Sequence, residues 1–470
     1  MLFNSAEFIV FLFILLILYY SVRHRAQNII LLFASYIFYG WWDWRFLTLI
    51  ALSSVIDYFI GRAIHNSSNE KKRKLLVTAS LCSNLSILGF FKYFNFFADS
   101  FTDLFNTIGF SADWVTLNII LPVGISFYTF QTLSYTIDIY RKKLTPEKRF
   151  LDFALFVSFF PQLVAGPIER AAHLLPQITT TRQWTSEGFM RGVYLILFGL
   201  FKKVAIADSA AVYVNEIFNA DTPQAGINIA IATVLFAVQI YCDFSGYTDI
   251  ARGIAKTLGF DFRLNFNLPY FSKNPQEFWQ RWHISLSSWL RDYLYISLGG
   301  NKYGAIKTYR NLMITMLLGG LWHGAAWNFV IWGFYQGAIL IIHRLIRPGL
   351  EKVTPAHPIF HYVYILLFFV VTCYGWLIFR AESMDQIANF STAIIFNFNF
   401  NALILPDLSK AFLYGFPLLL TLDLFQYKSG QTTFYRGWPI MVRYSLYSSL
   451  IVLILVGTGN SPEQFIYFQF

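Results

Sequence analysis

Apolar runs long enough to cross a lipid bilayer recur along almost the whole chain, and this constrains the fold more than any single motif. A span needs about 20 apolar residues, and a backbone in lipid must satisfy its own hydrogen bonds, which a helix does. Such runs lie near residues 5–21, 27–40, 46–61, 75–97, 117–139, 150–166, 189–206, 226–247, 311–342, 359–379 and 440–458, with a further apolar piece at 411–425. About eleven spans are therefore expected. Gly and Pro interrupt several runs, which predicts tilted or re-entrant segments among them. Composition agrees: 56% of the 470 residues are hydrophobic and 13% are charged, whereas soluble domains carry roughly 25% charged residues. The chain reads as an all-α polytopic membrane protein, a single integral membrane domain over 1–470. The first run lacks a basic leader and a small-residue cleavage site, so it reads as a retained anchor.

A formal charge of +10 could point to nucleic acid. The basic residues, however, fall in short loops between apolar runs, where they set topology. Arg23 and Arg25 follow the first run; Arg62 and Lys71 to Lys74 precede the fourth; Arg141, Lys142, Lys143, Lys148 and Arg149 separate the fifth and sixth. These loops are expected on the cytoplasmic side, with the N-terminus outside. The loop 98–118 carries Asp99, Asp103 and Asp113 and no Lys or Arg, which suits the opposite face. Arg436 and Arg443 place the start of the last run inside and send the tail 460–470 outside. Trp41, Trp42 and Trp44 read as an aromatic belt. Cys82, Cys242 and Cys373 are scattered, without metal or redox spacing.

Hydropathy drops between Phe260 and Asn311. Asn274 as N-cap, Pro275 at the first helical position and Glu277 able to reach back predict a helix from Pro275 to about Tyr293. Phe278, Trp282, Ser285 and Trp289 would share one stripe of it, and Trp279, His283, Leu286 and Leu290 the next. Such a helix could lie at the membrane surface with Arg281 and His283 toward headgroups, or it could build a site. The SLGGNK that follows has paired glycines, Asn301 and Lys302, able to bring backbone N–H groups to an anion. Arg281, Arg291, Asn301 and Lys302 are the candidates for holding an anionic ligand.

Ionisable groups also occur within the apolar runs. Asp138, Asp243 and Asp249 either face a functional interior or form ion pairs, for instance with Arg141 or Arg252. The stretch from Met313 to Leu340 contains GGLWHGAAWNF at 319–329. His323 can exchange a proton near neutral pH, and Gly319, Gly320, Gly324, Ala325 and Ala326 let a helix or ligand approach closely. It could instead bridge two spans by a hydrogen bond. No Ser or Cys nucleophile stands beside it, so general-base action on a bound acceptor hydroxyl is the simplest chemistry.

Five stretches in fixed order now matter: PVGISFYTFQTLSYTIDIYR from Pro122, FFPQLVAGPIERA from Phe159, QIYCDFSGYTDIARG from Gln239, RWHISLSSWLRDYLYISLGGN from Arg281 and GGLWHGAAWNFVIWG from Gly319. Together they resemble the membrane-bound O-acyltransferase superfamily, in the bacterial branch of alginate and peptidoglycan O-acetylation proteins. The resemblance runs from about Leu121 to Asn328. It implies a ring of tilted helices, with re-entrant and amphipathic helices, around a funnel and a tunnel joining the two sides. It maps the near-invariant histidine of the family onto His323 and the second histidine of the branch onto His283. The branch often has proline before LGGN; Ser297 stands there in this chain.

The ending QFIYFQF resembles the Phe-x-Tyr-x-x-Phe tail of the small acyl-accepting peptide of teichoic acid D-alanylation, with Phe465, Tyr467 and Phe470 in register. Tyr467 is thus a candidate transient acyl carrier, a phenol that needs a base at pH 7; an aromatic tail could also simply pack at the membrane interface. The resemblance implies an O-acetyltransferase of the bacterial inner membrane with acetyl-CoA as donor and neither a bound cofactor nor a metal. An extracytoplasmic, SGNH-hydrolase-like O-acetyltransferase would be the recipient, and peptidoglycan, alginate or cellulose the final acceptor. One alternative keeps the chemistry but moves D-alanyl or another acyl group. Another is a proton-coupled transporter lined by Asp243, Asp249 and His323, for which an internal repeat is expected and not found.

Overall fold

The computed structural model describes residues 1–109, 119–163, 166–353, 357, 359–458, 465 and 466. Every regular element among them is a helix. The chain forms two units, Met1–Val193 with Ala251–Arg263, and Tyr194–Ile250 with Leu264–Phe470. Six helical stretches among the described residues are long and apolar enough to cross a membrane, rather than about eleven: His24–Asn66, Glu70–Thr107, Gly226–Thr257, Trp327–Leu350, Ile359–Arg380 and Ile440–Gly457.

The shortfall has identifiable causes. Ala6–Tyr20 has 15 residues, about 22 Å at 1.5 Å per residue, short of a roughly 30 Å core. Runs 27–40 and 46–61 merge into one helical stretch, bent by a 3-10 turn at Trp44–Phe46. Run 150–166 breaks at Phe159 into Phe150–Ser158 and the single turn Phe160–Leu163. Run 189–206 carries Lys202 and Lys203 within a π-helical segment, Phe201–Ala207. The expected acidic loop is largely helix: Asp99 and Asp103 lie on Phe94–Thr107, continuous with Glu70–Leu88 through a π turn. Asp113 falls outside the described residues.

In the first unit the Ile125–Tyr140 helix is buried along nearly its whole length, packed against Leu47–Asn66 and Glu70–Leu88. Its serines and threonines make it too polar to face lipid, and they supply partners inside. Asp57, fully buried, accepts from Ser80 Oγ (2.6 Å) and Asn84 Nδ2 (2.8 Å). Ser53 Oγ and Thr132 Oγ1 donate to Asn84 Oδ1. Gly61 permits the close approach, since a Cβ there would sit 2.8 Å from the Tyr135 ring.

In the second unit the run 311–342 is not one span. Ala305–His323 ends at Gly324, whose backbone is extended, and Trp327–Val353 returns antiparallel against it. The pairing is read from the glycines: a Cβ on Gly320 would meet the Phe329 carbonyl oxygen at 2.2 Å, and one on Gly333 the Met316 carbonyl oxygen at 2.5 Å. Small residues let the two backbones touch, as expected of them, but within one hairpin.

Candidate active site

His323 therefore sits at the elbow of this hairpin, the last residue of its helix, 4% exposed. The rings of Trp322, Trp332 and Phe379 stand edge-on to its imidazole with centroids 5.2, 5.1 and 5.4 Å away. Asn328, five residues on, donates its amide to the carbonyls of Phe379 and Ala381 (3.2 and 2.8 Å). That bond satisfies the C-terminal end of Ile359–Arg380 and fixes Phe379 against the histidine.

The helix expected over 275–293 starts as predicted. Asn274 Oδ1 accepts from Glu277 N–H at 2.9 Å, and Glu277 reaches back to the Lys273 N–H. It then stops at Arg281. His283 adopts a left-handed conformation (φ 42°, ψ 54°), and a second short helix, Ile284–Trp289, follows and passes into a π turn. The two stripes predicted for a single helix therefore do not form. The cause is Asn265: its backbone oxygen accepts the Ile284 N–H, and its side-chain oxygen accepts from Ser285 N–H, Ser285 Oγ and His283 Nδ1. A non-glycine residue in this region costs about 1–2 kcal/mol. Hydrogen bonds contributing about 1 kcal/mol each offset that.

The same bonds define the imidazole. A backbone N–H can only donate, so the Asn265 oxygen is the acceptor and His283 Nδ1 carries the proton. In the neutral ring Nε2 then keeps its lone pair, as a base or acceptor. His283 is fully buried, so it does not face headgroups as a surface amphipathic helix would require. Its ring lies 5.8 Å from that of Trp322, which also contacts His323. Two residues predicted from sequence are thus gathered around one indole.

The donor-binding candidates fare differently. Arg281 is tied to Glu277 (2.9 Å) and to the Asn267 carbonyl (3.1 Å). Arg291 pairs with its neighbour Asp292 (2.7 Å) and is mostly exposed. Asn301 and Lys302 lie exposed in the turn formed by Gly299 and Gly300, both at positive φ. Asn311 holds that turn by donating to the carbonyls of Leu298 and Gly300 (3.1 and 2.9 Å).

Tyr467 lies outside the described residues. Phe465 and Ile466, just before it, are buried at 1% and 2% exposure. Phe465 stacks on Tyr247 (4.2 Å) and contacts Phe244 (5.9 Å), whose ring in turn meets that of His283 at 4.7 Å. These two tail residues pack inside their unit and not at a membrane interface.

Sequence reasoning missed the lysines. Asp249 pairs with Lys202 (2.5 Å) and Asp243 with Lys203 (2.8 Å), which also meets Asp208 (2.7 Å). Two adjacent lysines inside an apolar run were the available signal. It also missed, in the first unit, His173, whose Nδ1–H donates to fully buried Glu169 at 2.6 Å while the other Glu169 oxygen accepts the Arg263 N–H.

Residues 145–384 match the model of MBOAT, the membrane-bound O-acyltransferase family. The chain is 42% identical to a probable alginate O-acetylase AlgI of Azotobacter vinelandii, over 87% of this chain and 81% of the relative. It is 39% identical to a probable alginate O-acetylase AlgI of Pseudomonas putida, over the full length of both. It is 35% identical to a peptidoglycan O-acetyltransferase of Helicobacter pylori, over 82% of this chain and 78% of the relative.

Proposed function

Because the chain belongs to the membrane-bound O-acyltransferase family, we propose that it takes acetyl from cytoplasmic acetyl-CoA and carries it across the bacterial inner membrane for O-acetylation of an envelope polysaccharide. The observation that carries this reading is the pair of buried imidazoles gathered on Trp322. Relatives named for alginate and peptidoglycan O-acetylation support acetyl as the group moved and a polysaccharide as its destination.

In this reading the acceptor is the phenol of Tyr467. Its oxygen attacks the thioester carbonyl as His323 takes its proton; the C–S bond breaks, and the proton passes to the thiolate, giving an acetyl ester and CoA thiol. His283, with Nδ1 held by Asn265, presents Nε2 to the donor or acceptor. Proton handling of this kind contributes about 10²–10⁴-fold. The tail then gives its acetyl to an extracytoplasmic O-acetyltransferase. The thioester supplies the driving force. Arg281, Arg291, Asn301 and Lys302 remain the proposed contacts for the phosphates of CoA, on the cytoplasmic side.

The test is reconstitution in vesicles with acetyl-labelled CoA on one side and a soluble acceptor enzyme on the other. Label should cross with release of an equal amount of CoA thiol. Flux of intact acetyl-CoA without thiol release would instead identify a transporter.

A further inference from the structure

We propose that Asp243 is a positioning residue that seats the C-terminal tail, with Lys203 holding its carboxylate in place. The two oxygens of Asp243 are divided between two tasks. Oδ1 lies 2.8 Å from Lys203 Nζ, and Oδ2 accepts the backbone N–H of Ile466 at 2.7 Å, across 223 positions of sequence. Lys203 is itself shared with Asp208 at 2.7 Å. Lys203 and Asp243 are almost completely buried, at 1% and 2% exposure.

The last residues of most chains fray because nothing holds them. A tail whose backbone N–H is taken out of water requires an acceptor, and a carboxylate gives a stronger bond than a neutral carbonyl. A bare carboxylate would be too costly to bury beside the tail. Lys203, shared with Asp208, offsets part of that charge while leaving the other oxygen to the tail, and the π-helical segment Phe201–Ala207 is what carries that lysine. Such segments mark places where a helix is adapted to a task. Tyr247 lies four residues after Asp243, on the same face of its helix, and stacks on Phe465. One helix face therefore offers an aromatic seat and a hydrogen-bond acceptor to two consecutive tail residues. Ile466 is bonded directly to Tyr467, so this anchor sets the tail register to within one residue, about 3.8 Å along the chain. The consequence for acyl transfer rests on the carrier role proposed for Tyr467; the seat itself does not.

Amide hydrogen exchange of the C-terminal peptide, read by mass spectrometry on the full-length protein in detergent, tests the seat. Asp243→Asn and Asp243→Leu remove the same charge, leave Lys203 with Asp208, and differ in keeping or losing an oxygen acceptor. Asp243→Asn, which keeps an oxygen acceptor but loses its charge, should exchange only a few-fold faster than wild type, and Asp243→Leu at least about tenfold faster at the tail. Should the leucine variant not fold, Ile466→Pro removes the same hydrogen bond from the tail side, where the body of the protein is untouched. It should speed exchange of the remaining tail amides alike. Unchanged tail exchange in Asp243→Leu, or in Ile466→Pro, overturns the proposal. Tyr467→Phe leaves the backbone intact and should stay protected. A protected Tyr467→Phe variant that still transferred acetyl would end the carrier role while leaving the seat standing.

Discussion

Replacing His323 with alanine or glutamine is expected to lower acetyl transfer in reconstituted vesicles by about 10²–10⁴-fold, the contribution of one positioned acid–base group. The two variants separate chemistry from packing. His323 fills the space among Trp322, Trp332 and Phe379, so alanine opens a cavity at the hairpin elbow that also costs stability. Glutamine keeps polarity and most of the volume but cannot cycle a proton near pH 7. If glutamine retained wild-type rates while alanine lost them, the side chain would be a packing element and the proton would travel by another route.

Gly320→Ala is expected to lower stability and activity together. The added Cβ would lie 2.2 Å from the Phe329 carbonyl oxygen and 3.1 Å from Gly333 Cα. Both neighbours are backbone, so the clash cannot be relieved by turning a side chain, and the hairpin limbs must separate. Overpacking of this kind costs about 1–3 kcal/mol, visible as a lower midpoint of thermal unfolding in detergent. The clash lies three residues from His323, and a displacement on the order of 1 Å at a reacting group can cost about 100-fold in rate. Transfer should therefore fall at least about tenfold even in the folded fraction. Gly349→Ala, in the second limb with open space around its Cβ position, serves as the matched control and should leave transfer unchanged and stability no lower. A Gly320→Ala protein with wild-type stability would mean that the limbs are not held by backbone contact.

How much of this was legible beforehand depended on whether the cause was local in sequence. The polytopic helical class follows from composition over stretches of about 20 residues. The number of spans does not. Hydropathy cannot see the break at Phe159, the bend at Trp44–Phe46 or the reversal at Gly324, where a few residues turn the chain without changing its mean apolarity. The start of the helix at Asn274 was legible because capping acts within four residues. Its end at Arg281 was not, because the group that breaks it is Asn265, 18 residues before His283 and silent in any helical periodicity. His323 stood out as an ionisable group among glycines and alanines. Its setting at an elbow, with His283 also in contact with the Trp322 ring, required the fold. Lys202 and Lys203 were in plain view but were counted as part of an apolar run. Their contacts with Asp249, Asp243 and Asp208 set charges that would be expensive alone in lipid against opposite ones.

In the proposed function an acetyl group is loaded onto Tyr467 of the same chain with His323 as the base. It is tested most directly by mass spectrometry of the C-terminal peptide after the purified protein has been given acetyl-CoA with no acceptor enzyme present. An acetyl ester on Tyr467 in the wild type, absent from His323→Gln, is the predicted result. An unmodified Tyr467 in a protein that goes on transferring acetyl once the acceptor enzyme is added would contradict it.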